Sequence, residues 1–470
     1  MTKLVPVFVF ALTVTSGCSG GCPDGAVDCA CRAGDRCDAG LYCVLGVCTE
    51  PGAGLCGDGR VAQGEECDGN AVTNGTCGAN CRLSCNLGFK DCNAATADGC
   101  EADVRVSLDH CGDCGQRCNG AGGSATCDQG NCSLTCSADY ADCNLDPQDG
   151  CETALATSSS HCGSCDHSCL GGGCAASTCL PVVVAAASDV QDVAVDAAYA
   201  YYTRLGSPAN GFADGSVVRL DKATRVASAV AASQKAPAWL VVDDTYVYWA
   251  SIGVPPSYRD GGIFRVLKNG DSPTPLAPDQ EFPGDLATDG TNLYWVTPAA
   301  SGSVAAVATS GGGGWSVAST QATPAGVAAD GSRVFWTNQL GGTLMAADPN
   351  GSNPTPLVSA LDGPRFLQVD QTQLFWVDWD TSRVRRASKT GAGAVEMSQE
   401  TGEIGGIAVD ATDVYWTVDR GASSSSVMAA PKGGGAAREV ASQIDSPMAI
   451  AVDLQAIYWV SPAGLVRLAK

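Results

Sequence analysis

The stretch Leu240-Val241-Val242-Asp243-Asp244-Thr245-Tyr246-Val247-Tyr248-Trp249 joins an apolar run ending in Asp to an aromatic pair a few residues later. The same pattern occurs seven times in residues 181–470. Its aspartates are Asp196, Asp243, Asp289, Asp330, Asp370, Asp410 and Asp453. Six residues after each of them lies Tyr202, Trp249, Trp295, Trp336, Trp376, Trp416 or Trp459. Successive aspartates are 40 to 47 residues apart, a period typical of radial or stacked repeats.

Each repeat has room for four short strands. The apolar run forms the first strand and the aromatic pair lies in the second. A third strand begins at a glycine, as in Gly215–Leu220 and Gly464–Leu468. A fourth strand follows it, as in Glu439–Ser442. Four strands and their turns fill about 40 residues, which is the size of one blade of a β-propeller. We therefore predict an all-β fold in which the aromatic row packs between blades and each Asp caps a hairpin turn.

The two ends of the repeat region predict a closed ring. After Trp459 the sequence has room for a third strand but not for a fourth. Val183 lies as far before Asp196 as Val440 lies before Asp453, so the segment around Val183 can supply the missing strand. Closure of this kind also hides strand edges that would otherwise aggregate. The prediction is a seven-bladed propeller, with six blades as the alternative.

The aromatic motifs resemble those of known propellers. Phe335-Trp336-Thr337-Asn338, Tyr415-Trp416-Thr417 and Phe375-Trp376-Val377-Asp378 resemble the YWTD-type and the related NHL- and TolB-like propellers. The resemblance implies binding of proteins or glycans. It is incomplete, because YWTD propellers usually have six blades, the final Asp is retained only at Asp378, and the first copy reads Tyr201-Tyr202.

The N-terminus predicts export. Lys3 precedes an apolar run from Leu4 to Val14, which is too short for a permanent membrane span. Ser16-Gly17-Cys18 resembles the bacterial lipoprotein signal, with a departure at Thr15, and this implies a lipid on Cys18. The alternative is an ordinary secretory signal with Cys18 in a disulfide. Without Cys18, 26 cysteines remain, an even number that can pair.

Both interpretations of the N-terminus predict an oxidising compartment. Ser19 after the cysteine is compatible, by the same resemblance, with sorting to the outer membrane or cell surface. A secreted or periplasmic location is the alternative.

All 27 cysteines lie before Leu180, in a region poor in large apolar residues. Such a region needs cross-links to offset chain entropy. Its last sixteen cysteines form a duplication, Cys85, Cys92, Cys100, Cys111, Cys114, Cys118, Cys127 and Cys132 followed by Cys136, Cys143, Cys151, Cys162, Cys165, Cys169, Cys174 and Cys179. We predict that each set closes its own disulfides, with the pairing open. Residues 56–179 resemble cysteine-rich repeats of bacterial secreted and surface proteins.

These observations divide the chain into six segments. They are a signal peptide at 1–17, a cysteine-rich segment at 18–55, a small module at 56–84, cysteine-rich repeats at 85–135 and 136–180, and the propeller at 181–470.

Two groups of residues suggest metal sites, and both have a simpler explanation. His110, Cys111, Cys114 and Cys118, and likewise His161, Cys162, Cys165, His167 and Cys169, have zinc-ligand types. In an exported chain these thiols are expected to form disulfides. Asp142, Asn144, Asp146, Asp149 and Glu152 have the oxygen ligands of a calcium loop, but Asp and Asn also cap tight turns. We predict no metal and no cofactor, with calcium as the alternative.

The net charge of −23 disfavours nucleic acid as a partner. Residues 181–470 contain no His and no Cys, which removes imidazole bases and thiol nucleophiles and disfavours a virginiamycin-lyase-like mechanism. A carboxylate mechanism like that of calcium-dependent lactonases has candidates in Glu281, Asp285, Asn292 and Asn338. The basic cluster Arg383-Val384-Arg385-Arg386 is predicted to be a solvated strand edge.

The sequence therefore predicts a surface lipoprotein, not an enzyme, whose propeller binds a protein or polysaccharide at the cell surface. In this interpretation the disulfide-stapled modules act as a spacer, and the membrane is reached only through the lipid anchor. The alternatives are a calcium-dependent hydrolase or lyase and a structural surface component. No residue is singled out as catalytic or ligand-binding.

Overall fold

The structure is a computed structural model. It describes residues 71–95, 98–421 and 423–470, together with 29–30, 32–33, 36–39, 41–44, 47–49, 56–57, 61 and 65–69. Cys18 and the predicted signal peptide lie outside the described residues. The chain divides into two compact units, Met1–Thr153 and Ala154–Lys470. The segment boundaries given above stay predictions.

Short hairpins and disulfides make up the cysteine-rich region. Its strands are β1 Tyr42–Val44, β2 Val47–Thr49, β3 Gly75–Cys77, β4 Leu83–Cys85, β5 Phe89–Lys90, β6 Ala102–Asp103, β7 Gly123–Asp128, β8 Asn131–Cys136, β9 Tyr140–Ala141, β10 Thr153–Ala154, β11 Cys174–Ala175 and β12 Thr178–Cys179. Within the described residues β7 and β8 form the longest of these hairpins. Most of this region therefore depends on covalent links and turn hydrogen bonds.

The disulfides follow the duplicated pattern. The first repeat contains the bonds Cys85–Cys100, Cys92–Cys114, Cys111–Cys127 and Cys118–Cys132. Corresponding bonds join Cys136–Cys151, Cys162–Cys174 and Cys169–Cys179. Earlier in the chain, Cys37–Cys48 and Cys67–Cys77 are also bonded. The first eight-cysteine set thus closes its own bridges, as predicted.

The four-cysteine set departs from the expectation of complete pairing. Cys56 and Cys81 carry free thiols beside the Cys67–Cys77 bond. The sulfurs of Cys56 and Cys77 are 3.7 Å apart. The Cys81 thiol donates to Glu65 Oε1 at 3.3 Å. Burial, followed by its contacts with Cys56 and Glu65, raises the pKa of the Cys81 thiol to about 12, so this thiol stays protonated and unreactive at neutral pH.

Seven four-stranded antiparallel sheets form a β-propeller, as the sequence predicts. Blade 1 contains β14 Val190–Val195, β15 Tyr199–Arg204, β16 Gly215–Asp221 and β17 Ala227–Gln234. Blade 2 contains β18 Pro237–Val242, β19 Tyr246–Ser251, β20 Gly261–Leu267 and β21 Thr274–Gln280. Blade 3 contains β22 Leu286–Thr288, β23 Asn292–Thr297, β24 Gly302–Ala308 and β25 Trp315–Gln321. Blade 4 contains β26 Pro324–Ala329, β27 Val334–Asn338, β28 Thr343–Ala347 and β29 Thr355–Ser359.

The remaining three blades repeat this order. Blade 5 contains β30 Pro364–Val369, β31 Gln373–Asp378, β32 Arg383–Ser388 and β33 Val395–Gln399. Blade 6 contains β34 Glu403–Val409, β35 Asp413–Asp419, β36 Ser425–Pro431 and β37 Arg438–Ile444. Blade 7 contains β38 Ile450–Val452, β39 Ala456–Ser461 and β40 Gly464–Ala469, with β13 Val182–Ala186 as its outer strand. Two short 3-10 helices, Pro208–Asn210 and Trp379–Thr381, lie in loops.

The ring closes where the sequence predicts. Strand β13 pairs antiparallel with β40, and Val183 lies opposite Val466. The outer strand of blade 7 thus comes from residues that precede blade 1, and the edge of β40 is paired. This closure confirms the seven-bladed prediction over the six-bladed alternative.

The core is a set of clusters between neighbouring blades. Trp249 packs with Tyr201 and Val217 of blade 1, and Trp295 packs with Tyr248 and Ile263 of blade 2. All seven aromatic residues of the row are buried. The prediction that this row mediates packing between blades is confirmed, and it excludes the row as an exposed binding platform.

Candidate functional site at the mouth of the propeller channel

The propeller has two faces with different connections. The turn face carries the turns between the first and second strands and between the third and fourth strands of each blade. The loop face carries the loops between the second and third strands and the connections between blades. Loops in propellers, as in other scaffolds, are where binding residues concentrate.

On the turn face, the recurring aspartates cap their own turns. Asp330 Oδ1 accepts the backbone amides of Ser332 at 2.9 Å and Arg333 at 2.8 Å. Equivalent pairs of bonds occur at the other six aspartates. The predicted structural role of these residues is confirmed.

The second oxygen of most of these aspartates binds the next blade, a role that the sequence analysis missed. Five lysines in the turns after third strands form these ion pairs, Lys268–Asp196, Lys389–Asp330, Lys432–Asp370, Lys470–Asp410 and Lys222–Asp453, at N–O distances of 2.5 to 2.7 Å. The recurrence of Lys at one position of the repeat was the available sequence signal. In the part of the chain that the structure describes, Asp243 and Asp289 have no lysine partner, because Thr309 and Asp348 occupy the corresponding positions.

These ion pairs alter the titration of the turn aspartates. At Asp330, burial favours the neutral acid, but hydrogen bonds from Lys389, Ser332 and the turn amides outweigh it and lower the pKa to about 2. The same balance lowers the pKa of Asp196 and Asp370. Asp196, Asp330 and Asp370 are therefore ionised carboxylates held by lysines of the next blade.

The basic cluster of blade 5 also joins parts of the ring. Arg385 Nε lies 2.6 Å from Asp378 Oδ2, and Asp378 is fully buried. Arg386 donates to the Gly433 carbonyl of blade 6 at 3.0 Å, and Arg383 lies 3.1 Å from Glu396. The prediction of a strand edge is therefore wrong, because β32 is paired on both sides, with β31 and β33.

The central channel opens on the loop face. It encloses about 810 Å³ and is lined by the innermost strands of all seven blades, β14, β18, β22, β26, β30, β34 and β38. Three of its lining residues are aromatic, namely Trp239, Phe366 and Trp379. Four are acidic, namely Asp192, Asp285, Glu403 and Asp419, and the described lining contains no Lys, Arg or His. An apolar cavity with a few polar groups is the usual form of a binding site.

Bulges on the inner strands shape the mouth of this channel. The register of β30 shifts between Arg365 and Gln368. Phe366, inside this bulge, has φ 51°, which is unusual for a bulky residue. Beside it, the guanidinium of Arg365 lies 4.1 Å from the centre of the Trp379 ring. Such bulges occur often next to functional sites, where they redirect a side chain.

Two carboxylates of the channel tie neighbouring blades together. Asp192 Oδ1 accepts the Val193 amide at 2.8 Å and Oδ2 accepts the Leu240 amide at 2.9 Å. Asp285 similarly accepts the Leu286 amide at 3.0 Å and the Val327 amide at 2.9 Å.

Burial dominates the titration of both groups. It raises the pKa of Asp192 to about 6 against these amide bonds. Burial raises the pKa of Asp285 to about 7, and the nearby charge of Asp192 adds to the effect.

The four residues suggested for a calcium mechanism do not come together. Asp285 lines the channel, whereas Glu281 is exposed and lies 3.9 Å from Arg259. Asn292 lies in a turn-face hairpin beside Asp289 and Tyr294. Asn338 is buried and donates to Gln321 and Thr343. The spacing in the sequence gave no means of telling these positions apart.

The residues considered as zinc ligands in the cysteine-rich repeats have other bonding partners in the structure. Cys111, Cys114 and Cys118 are in disulfides, and His110 Nδ1 accepts the Gly115 amide at 3.0 Å. The buried sulfurs of Cys162, Cys169 and Cys179 lie close together because two disulfides pack there. The thiols are therefore already used in covalent bonds.

The calcium-loop residues of the second repeat act as turn caps. Asn144 Oδ1 accepts the Asp146 amide at 2.7 Å, and Asn144 Nδ2 donates to Asp149 at 2.9 Å. Glu152 accepts the Cys143 amide at 3.3 Å. These bonds match the turn-capping interpretation.

An aromatic cluster borders the channel at blades 2 and 3. The Phe282 ring contacts Trp239 and Tyr258 edge to face, with centroid separations of 6.4 and 5.3 Å. Tyr258 belongs to the loop 252–260, which with loop 205–214 is longer than its counterparts in the other blades. The loop face thus has its longer loops at blades 1 and 2 and an aromatic cluster at blades 2 and 3.

No helix among the described residues has the length and apolar character needed to cross a membrane.

Comparisons with known proteins support the architecture. No protein-family model and no curated protein matches the sequence. The virginiamycin B lyase from Staphylococcus aureus is similar in structure, with a TM-score of 0.50 and 13% identity over 60% of this chain and 95% of the lyase. Weaker likenesses are to a nidogen/laminin complex chain (TM-score 0.37, 18% identity, 43% and 83% coverage) and a mitotic checkpoint complex chain (0.47, 9%, 61% and 91%). At these identities the likeness to the lyase shows the propeller fold alone.

Proposed function

We propose that this protein is an exported, lipid-anchored binding protein whose propeller captures a protein partner at the loop-face mouth of its channel. The observation that carries the proposal is the channel itself, a cavity of about 810 Å³ with Trp239, Phe366 and Trp379 in its lining. Aromatic side chains in concave sites supply much of the energy of protein recognition. The stapled cysteine-rich modules serve as a spacer.

The residues of the propeller favour a binding function over a catalytic one. The sequence of the propeller contains no His and no Cys. The channel carboxylates of Asp192 and Asp285 each accept two backbone amides, so they serve the packing of inner strands. A protein is favoured over a polysaccharide because most of the channel lining is aliphatic.

The binding test uses the exported chain with Cys18→Ser, immobilised and exposed to envelope extract. Met448→Arg changes an exposed residue of the channel lining, whereas Leu454→Arg makes the same change in an exposed turn-face residue. We expect the wild type and Leu454→Arg to retain one protein and Met448→Arg to lose it. Retention of nothing by the wild type, or equal retention by both variants, would contradict the proposal.

The lipid anchor rests on Ser16-Gly17-Cys18 and is tested separately. Cells expressing the protein are labelled with a fatty acid, and membrane and soluble fractions are compared. The wild type should carry label and sediment with membranes, and Cys18→Ala should do neither. Label on Cys18→Ala would refute anchoring at this residue.

A calcium-dependent hydrolase or lyase is the second candidate, favoured by the convergence of Asp192 and Asp285 on one channel. Calcium should then raise the melting temperature, EDTA should lower it, and lactones or esters should be turned over. If calcium and EDTA leave the melting temperature unchanged and no lactone or ester is turned over, this candidate is eliminated.

A further inference from the structure

We infer that the channel mouth recognises a cationic side chain, an ammonium or guanidinium group, projected by the protein partner. The inference rests on the proposed function and adds the chemistry of the contact. It starts from the cavity, whose described lining combines aromatic rings with carboxylates and has no positive residue, while Arg365 beside it stacks on Trp379 and leaves Trp239 and Phe366 for a ligand.

Six lining residues occupy one position of the repeat, and Phe366, Gly406 and Ala449 hold it on blades 5, 6 and 7. Asp192, Trp239 and Asp285 each lie four residues before the turn aspartate of their blade. They therefore fall at the same level of three consecutive inner strands, on blades 1, 2 and 3. An indole ring is thus placed between two carboxylates around the wall of the channel. Aromatic faces attract organic cations, most strongly when the site is desolvated.

The carboxylates retain capacity to accept further hydrogen bonds. Each oxygen of Asp192 and Asp285 accepts one amide, and a carboxylate has about four acceptor positions. Burial raises the pKa of both groups, and the described lining of the channel contains no Lys or Arg to pair with them. A cation entering the channel would supply that partner.

An organic cation fits these contacts better than a metal ion does. Calcium requires about six to eight oxygen ligands, and Trp239 separates the two carboxylates around the wall. A lysine or arginine side chain places its charge near the carboxylates while its methylene stem contacts Trp239 and Phe366. The net charge of −23 also favours approach of a basic partner.

The first experiment uses small probes, so it does not need the partner. N-acetyl-lysine methylamide and N-acetyl-arginine methylamide are titrated into the Cys18→Ser chain, with N-acetyl-glutamine methylamide as the neutral probe. Binding is followed by tryptophan fluorescence and calorimetry. We expect saturable binding of the two cations, weakened by salt, and none of the neutral probe.

Two substitutions locate the binding. Asp285→Asn should weaken the cation at least tenfold, whereas Asp289→Asn, the same charge change on the turn face, should have no effect. Trp239→Leu should weaken binding severalfold with both carboxylates intact, which separates the contact from any disturbance caused by Asp285→Asn. Thermal melting checks that each variant is folded.

The outcomes separate this inference from the proposed function. Equal binding of neutral and cationic probes, or unchanged binding by both Asp285→Asn and Trp239→Leu, overturns the inference. If Met448→Arg abolishes partner retention while Asp285→Asn and Trp239→Leu leave it intact, the proposed function stands without the cationic contact. If no protein is retained but the cations bind at Asp285, the proposed protein-binding function fails. The inference that a protein partner supplies the cation then fails as well.

Discussion

At the scale of single residues, five of the seven turn aspartates perform two tasks. One oxygen caps the turn that begins with it, and the other binds a lysine of the next blade. The capping role could be predicted from the short polar turns such as Asp330-Gly331-Ser332-Arg333. The lysine partners could not, because a pairing between residues 60, 72 or 231 positions apart in the chain depends on how blades are arranged in space.

Asp330→Asn should destabilise the protein by about 1–3 kcal/mol, because Asn keeps the turn cap but loses the charged bond to Lys389. Asp289→Asn is the matched control, since Asp289 caps its turn without a lysine among the described residues. Chemical denaturation measures both. Equal losses in the two variants would show that the ion pair contributes nothing.

The dependence of stability on pH has two parts of opposite sign. Asp330, Asp196 and Asp370 have lowered pKa values. These carboxylates therefore become protonated at a lower pH in the folded state than in the unfolded state. Their stabilisation is complete above about pH 4 and is lost as the pH falls towards 2.

Asp192 and Asp285 act in the other direction, because burial raises their pKa values to about 6 and about 7. Their ionisation destabilises the fold as the pH rises from about 4 to 7. Asp192→Asn with Asp285→Asn should flatten this decline in a series of melting curves. An unchanged slope in the double variant would contradict the assignment.

At the scale of elements, the local sequence specifies each hairpin, but it does not specify how the hairpins assemble around the channel. The alternation of apolar runs, turns and Tyr-Trp pairs was enough to place strands such as β16, β37 and β40. The closure strand was predictable because Val183 and Val440 hold equivalent repeat positions. The channel mouth was not, since the bulge that sets the backbone of Phe366 has no sequence signature that distinguishes it from an ordinary strand.

Strand β13 offers a test of the closure. Val184 is buried and Val183 is 44% exposed on the same strand. Val184→Asp should cost about 2–4 kcal/mol and promote aggregation, because it places a charge in the blade interface and releases the edge of β40. Val183→Asp should have little effect. Melting curves and light scattering check both, and equal behaviour would show that β13 does not close the ring.

At the scale of the whole molecule, disulfides and aromatic packing belong to different stretches of the chain, although Cys162, Cys169 and Cys179 share a core cluster with Tyr415 and Trp459. The disulfides lie before Leu180, while residues 181–470 contain no cysteine and hold together through aromatic packing between blades. The composition alone shows this difference in cysteine content between the two stretches. It could not predict that Cys56 and Cys81 remain thiols, because pairing depends on positions in space.

A reducing agent should therefore unfold the first unit and leave the propeller folded, although it also breaks Cys162–Cys174 and Cys169–Cys179 of the second unit. Limited proteolysis after reduction is expected to yield a stable fragment that contains residues 181–470, with its tryptophan fluorescence unchanged. Loss of the propeller signal at the same reductant concentration as the first unit would contradict this division.

The missing lysine partners of Asp243 and Asp289 fall at adjacent interfaces, on either side of blade 3. Among the described residues, blade 3 and its two interfaces thus form a sector without this ion pair, in which Arg265 donates to the Thr309 carbonyl and Trp315 donates to the Pro349 carbonyl. Hydrogen exchange should therefore be fastest in that sector, which also contributes Asp285 to the channel lining.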